Sequence, residues 1–465
     1  MAPPILLFRE LNMDREYKRR NFISIFTKGD IFSKLSYIFC GLANIRYGQV
    51  AKGLLFLLLE VCYLVFLFTK GINLLHNLTT LGEHEQGMAF NEAIGIYEMQ
   101  QGDNSMIILL TGVVAIVVTI CFLAIWLFSV YSGENARFNH DHGHHVNNFF
   151  EDVKSLTNEN IHFLLLAIPV VGLLIFTFTP LIYMILMAFT NYDNEHQPPG
   201  HLFDWVQLDN FRTLLLSSDK LSQTFWPVLG WTFIWGIFAT FSCYFGGMIL
   251  AMIINSKGIR LKKFWRTIFV VTMGIPSFIS LKVVGTMLGE KGIFNVLIQK
   301  WGWTDAAVPF LTQTSFARIS VILVNFWIGV PVTMLMVSGI LMNIPGELYE
   351  SARIDGANPF VIFRKITFPY MWFVTTPYVI ANLIGNFNNF SAIYFLTGGG
   401  PMTLDYYKGA GKTDLLVTWL YKLTADTNDY NLAATIGILI FIISAAFTLI
   451  TFQRSGSMKN EEGFQ

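Results

Sequence analysis

Charge is scarce in this chain. Of 465 residues only 13% are Asp, Glu, Lys or Arg, about half the roughly 25% of an ordinary globular protein. The 31 basic and 31 acidic residues cancel, which gives no reason to expect a nucleic-acid or acidic-surface partner. Cysteine is rarer still. Cys40, Cys62, Cys121 and Cys243 have no metal-ligand spacing and form no disulfide framework, so they read as small apolar residues. No cleavable signal peptide is expected either, because Glu10, Asp14 and Glu16 lie among Arg15, Lys18, Arg19 and Arg20 where an apolar run would be needed. Gly411-Lys412-Thr413 is no phosphate loop, since the required upstream glycine is Tyr406. No Ser/His/Asp or Cys/His constellation stands out, so the chain is not expected to be an enzyme.

Apolar residues fill the space that charge leaves. They make up 53% of the chain, Phe occurs 43 times, and mean hydropathy is +0.51. So much apolar surface can be buried only with lipid as part of the solvent, which makes this an all-α integral membrane protein. A bilayer core takes about 20 apolar residues per helix. Eight stretches qualify: 53–69, 106–130, 163–189, 226–254, 266–288, 319–342, 370–396 and 433–452. The amphipathic run 31–50 is expected in the membrane interface. Alternate segments hold 20 and 9 Lys/Arg, and the richer side contains both termini, so both termini are expected in the cytoplasm. The segments are then an N-terminal stretch 1–50, two spans in 51–130 and a polar loop 131–162. A third span with a short external loop (163–225), a core (226–452) and a tail (453–465) follow.

Two stretches carry candidate function. Residues 343–369 lie on the cytoplasmic side, where Pro345 and Glu347 suit a helix start. Tyr349, Ala352, Ile354, Phe360 and Phe363 give an apolar face at roughly helical spacing, interrupted near Gly356. Such a helix-turn-helix could plug a groove on a partner or lie flat in the interface. In the seventh stretch Asn382, Asn386, Asn388 and Asn389 fall within eight residues. Positions 382, 386 and 389 share a helix face. Amides offer donors and acceptors without charge, which suits sugar hydroxyls, and they equally suit cross-links between helices.

The spacing Glu350-x-Ala352-x3-Gly356-x9-Ile366-x2-Pro369 resembles the EAA loop of binding-protein-dependent ABC transporter permeases, with Ser351 and Phe368 as mild departures. That resemblance implies a type I importer (MetI-like) core in 226–452, and docking of Glu350, Ser351, Ala352, Asp355, Gly356, Ile366 and Pro369 on an ATP-binding subunit. Asn-Phe-Asn-Asn-Phe390, followed by Leu-Thr-Gly-Gly-Gly-Pro401, is similar to the MalF-type maltose/maltodextrin permeases. So is Asn325-Phe-Trp-Ile-Gly-Val-Pro331. The similarity implies sugar contacts at Asn382, Asn386 and Asn389, a second wall at Trp327, Ile328 and Gly329, and a weaker carry-over at Ser280. Val332 replaces a familiar Tyr and Gly385 a familiar Phe, which widens the cavity and favours a longer maltodextrin over a disaccharide.

The implied partners are a second homologous permease (MalG-type), two ATP-binding subunits that carry the ATP and Mg, an extracellular sugar-binding protein, and lipid. No cofactor is expected in this chain and no nucleic acid. The short external loop 190–225 points to a Gram-positive plasma membrane. Other oligosaccharides, such as raffinose-type sugars, and a gradient-driven secondary transporter are the alternatives. The run His140-Asp141-His142-Gly143-His144-His145 fits no defined metal site and reads as a solvated linker. Glu60 and Lys282 are the ionisable residues expected to be buried within spans, as structural ion pairs or facing a cavity.

Overall fold

The computed structural model describes residues 22–91, 95–256 and 258–454. The expectations for the first 21 residues, for Lys257 and for most of the tail lie outside the described residues. The chain divides into two compact units. One runs to Leu186 and includes Glu195–Trp205; the other comprises Met187–Asn194 and everything from Val206 on.

The first unit starts with three short helices, α1 (Phe22–Lys28), α2 (Ile31–Leu35) and α3 (Leu42–Arg46). They are followed by the long α4 (Val50–Thr80). Strands β1 (Gly87–Asn91) and β2 (Ile96–Gln100) form a hairpin before α5 (Ser105–Asp141), α6 (Phe149–Thr157) and α7 (Ile161–Met187). The stretch 31–50, amphipathic in pattern, keeps Ile31, Ile38, Phe39 and Val50 exposed. It folds against α4 and α5, with Cys40, Ala43 and Asn44 fully buried. Gly41, at φ +78°, permits this. A Cβ on Gly41 would stand 2.4 Å from the Gly53 carbonyl oxygen, and one on Gly53 would stand 2.5 Å from that of Gly41.

Side chains take up the backbone groups this fold leaves open. Ser129 Oγ accepts the Gly41 N–H at 2.8 Å. Glu60, expected in an ion pair or facing a cavity, accepts the Cys40 N–H at 2.8 Å instead. Tyr63 stacks on Phe122 at 3.9 Å to hold α4 against α5.

The second unit is built along α9 (Lys220–Asn255), preceded by α8 (Asp209–Leu216). Then come α10 (Lys262–Met273), α11 (Ser277–Met287), α12 (Ile293–Lys300), α13 (Thr314–Leu341) and α14 (Gly346–Ile354). A continuous helix α15 spans 359–387, and α16 (Phe390–Thr397), α17 (Leu416–Ala425) and α18 (Tyr430–Arg454) follow. Three apolar clusters lie along α9, around Phe225 and Trp419, around Trp235 and Ile393, and around Met248 and Met334. Small residues let α9 and α13 approach closely. A Cβ on Gly247 would stand 2.6 Å from Thr333 Cβ, and one on Gly329 would stand 2.6 Å from Cys243 Sγ.

Among the described residues six helices are long and apolar enough to cross a membrane, or seven if a bent pair counts as one, against the eight expected. The difference lies in two broken spans. Stretch 266–288 is α10 plus α11, bent by 87° at Gly274-Ile-Pro276, where proline cannot donate the next helical bond. Stretch 370–396 is interrupted at Asn388, where Asn389 accepts the Ala392 N–H and starts α16. Lys282, expected to be buried, is exposed on α11.

Glu60 generates a stability prediction. Glu60→Gln keeps the acceptor for Cys40 and should leave the melting temperature nearly unchanged. Glu60→Leu strands a buried N–H and should cost about 1–3 kcal/mol, read by tryptophan fluorescence on heating the detergent-solubilised protein. Equal melting of the two variants would remove Glu60 from this role.

Candidate functional sites

The turn at Gly356 is built as a projecting corner. Pro345 starts α14 and Glu347 sits in its first turn. Gly356, at φ +76° with open space around it, reverses the chain, and the Asn358 side chain caps α15 through the Val361 N–H at 2.9 Å. Two residues root the corner: Tyr349 and Ile366 pack on the cluster of Met334, Val337 and Met371, and the Tyr349 hydroxyl meets Thr367 Oγ1 at 3.2 Å.

The apolar face expected from spacing therefore splits. Tyr349 and Phe363 turn inward, while Ile354 and Phe360 are exposed together with Leu348, which the spacing did not single out. Glu350, Ser351, Asp355, Gly356 and Pro369 are exposed; Ala352 and Ile366 are half-buried. A rooted turn with an exposed apolar tip can enter a groove on another protein.

The amides near the far end of α15 form a chain. Asn386 is buried; its Nδ2 donates to Thr240 Oγ1 on α9 at 2.9 Å and to Asn382 Oδ1 at 3.3 Å. Its Oδ1 accepts from Asn389 Nδ2 at 3.2 Å, and its carbonyl accepts Trp235 Nε1 at 3.0 Å. Asn389 is further engaged as the cap of α16. Asn388 points elsewhere, exposed and bonded to the Ile384 carbonyl. Asn386 thus cross-links helices, and the donors left over belong mainly to Asn382, which is half-buried at the edge of the chain.

The other expected residues separate into packing and open surface. Gly329 is packed against Cys243, and Ile328 against the cluster around Trp235. Trp327 and Val332 are exposed, as is Gly385, with nothing near its missing side chain. Ser280, on α11, is half-buried. Sequence reasoning missed Tyr378, one turn before Asn382 on the same helix face. Its hydroxyl meets Thr333 Oγ1 on α13 at 3.3 Å and ties the two walls together. The periodicity that marked Asn382 and Asn386 also contains Tyr378, four residues earlier.

The rejected motifs have structural roles. Lys412 lies over the Tyr406 ring at 3.7 Å. The next residues lead into a buried pair, in which Lys422 Nζ reaches Asp414 Oδ2 at 2.6 Å and the Gly411 N–H reaches the same oxygen at 2.7 Å. Burial pushes the Asp414 carboxyl up from its ordinary range, against the pull of Lys422. In the histidine run, His145 meets Glu151 at 2.9 Å and His142 the Phe138 carbonyl at 2.8 Å. Among the described residues no three His, Cys, Asp or Glu side chains are grouped to hold a metal ion.

Comparison with known proteins gives these features a context. Residues 244–454 match the family model of the binding-protein-dependent transport system inner membrane component. The maltodextrin transport system permease protein MdxF of Bacillus subtilis is 34% identical over 430 residues, covering 91% of this chain and 95% of that protein. The galactooligosaccharides transport system permease protein GanP of the same organism is 33% identical, covering 77% and 85%. A bacterial alginate ABC transporter, crystallised with an alginate pentasaccharide-bound periplasmic protein, superposes with a TM-score of 0.52 at 23% identity. That match covers 66% of this chain and 98% of the other, and it speaks for the fold alone.

The amide chain separates two neighbouring asparagines by role. Asn386→Leu loses the bonds to Thr240 and Asn389 and should destabilise the solubilised protein by about 1–3 kcal/mol. Asn382→Leu should stay within about 0.5 kcal/mol of the parent. The reverse order of melting temperatures would make Asn382 the structural member.

Proposed function

The chain belongs to the inner-membrane components of binding-protein-dependent transport systems, and from that premise we propose that it is a permease subunit of an ATP-driven importer carrying maltodextrins into the cell. The observation that carries the mechanism is the continuity of α15. One helix begins at the Gly356 turn and ends at the amide chain, a length of about 43 Å at 1.5 Å per residue. A displacement of the turn by a closing ATP-binding subunit reaches Asn382 through a single hydrogen-bonded element, with no loop to absorb it.

In this reading both termini are cytoplasmic and the membrane is that of a Gram-positive cell. Two ATP-binding subunits supply ATP hydrolysis with their own Mg. One receives Glu350, Ser351, Ala352, Asp355 and Gly356, with Leu348, Ile354 and Phe360 as the apolar tip; the other serves a homologous second permease. An extracellular binding protein delivers the sugar. Asn382 binds its hydroxyls, with Asn386 and Asn389 holding the amide in place, while Trp327 and Tyr378 supply aromatic surface.

Stretches 319–342 and 370–396 contain no Asp, Glu, Lys or Arg, which fits an uncharged cargo. Trp327, Val332 and Gly385 open outward from the unit, so the second permease supplies the missing wall. The similarity to GanP favours galactooligosaccharides as the second reading for cargo.

Two measurements test the proposal. ATP hydrolysis by the purified complex, with the host's binding protein present, should rise with maltodextrins and not with galactooligosaccharides; the opposite order moves the cargo to the second reading. Gly356→Leu places a side chain where φ is positive, at about 1–3 kcal/mol of local strain. It should abolish sugar uptake into proteoliposomes while the subunits still co-purify, and normal uptake would contradict the docking role.

A further inference from the structure

The hairpin between α4 and α5 has two unlike faces. Its register pairs Met88 with Met99 and Phe90 with Tyr97. In an antiparallel pair these four side chains share one face. They stand 72, 67, 54 and 67% exposed in that order, and the Phe90 and Tyr97 rings meet edge to face at 5.2 Å. Gly87, Glu98 and Gln100 lie on the other face, together with Ile96.

The root of the hairpin is fixed. Asp103 accepts the N–H groups of Glu83 at 2.9 Å and His84 at 3.1 Å, and the Gln86 N–H reaches the Pro199 carbonyl at 3.1 Å. A two-stranded hairpin has no core of its own to bury such a face. A contiguous apolar patch on a fixed projection marks an interaction surface.

Charge selects the occupant. Residues 81–104 contain Glu83, Glu85, Glu92, Glu98 and Asp103 and not one Lys or Arg. An anionic lipid surface repels such a segment. Fixed neighbours in the membrane gain nothing from steering, whereas a diffusing protein does, because a one-signed field raises its encounter rate. Four side chains are far fewer than a permanent interface uses, which suits a partner that seats and leaves in each cycle. We propose that the face of Met88, Phe90, Tyr97 and Met99 seats the extracellular solute-binding protein of the importer through an apolar patch with a basic rim. This rests on the importer reading above and on its orientation, which puts the hairpin outside.

The test uses the assembled transporter in proteoliposomes with its binding protein. Phe90→Asp with Tyr97→Asp should raise the binding-protein concentration for half-maximal ATPase at least about tenfold, with unstimulated ATPase unchanged. Gln100→Ala, on the opposite face, should change neither. Benzoylphenylalanine in place of Met99 should crosslink to the binding protein, and less so at high salt. An unchanged half-maximal concentration, or crosslinks only to lipid or to other transporter subunits, would overturn the proposal. A parent complex that no binding protein stimulates would overturn the importer reading instead, and crosslinking from position 99 reports on the hairpin without relying on ATPase.

Discussion

Inside a bilayer an unpaired backbone N–H or C=O has no water to turn to, and each one costs several kcal/mol. The interruptions in this protein follow from that constraint. Where the chain turns back at Cys40, Glu60 and Ser129 accept the freed N–H groups. Where α15 stops, Asn389 starts the next helix and Trp235 donates to the Asn386 carbonyl. Outside the spans the same demand holds for a buried turn: at Gly411, Asp414 takes the N–H and Lys422 compensates the buried carboxylate. At each of these breaks a polar side chain completes the backbone bonding, and a break is also where a permease can open a cavity.

The same constraint lets the turn at Gly356 and the distant amide chain share one element. A helix satisfies its own backbone, so the stretch 359–387 can be long and continuous, with a π-helical turn at Phe363–Thr367. Asn358 caps one end and the amide chain holds the other. Thr375 adds a lateral tie through Tyr244 at 2.7 Å, and Tyr378 another through Thr333. The helix is thus bound to α9 and α13 at several levels, and its displacement must carry the walls of the site with it.

Much of this was legible in the sequence because composition and spacing are local signals. Apolar runs marked the spans, and the interval from Glu350 to Pro369 marked the turn. What stayed hidden depends on residues distant in the chain. The close approach of Gly41 to Gly53 cannot be registered by any pattern confined to 31–50. Asp414 and Lys422 were not singled out, because burial is a property of the fold. The hairpin was visible in principle, since Met88 and Phe90 alternate with smaller or polar residues, as do Tyr97 and Met99. It was passed over between two strong spans. Asn386 and Asn389 satisfied the pattern for cargo binding and for helix cross-linking equally, and only the bond to Thr240 on another helix distinguishes them.

That distinction bears on what the site can select. Amides already engaged in packing present fixed geometry and few spare donors, so in the proposed reading recognition of a neutral sugar falls to Asn382 and to aromatic surface. Val332 and Gly385 remove side-chain volume from that surface, while Trp327 and Tyr378 remain on facing helices. A wide site with few donors discriminates weakly between sugars of similar shape. On that reading, selectivity of the importer resides where the sugar is first captured, on the binding protein, and the surfaces that admit this partner become as decisive for cargo choice as the residues that line the path.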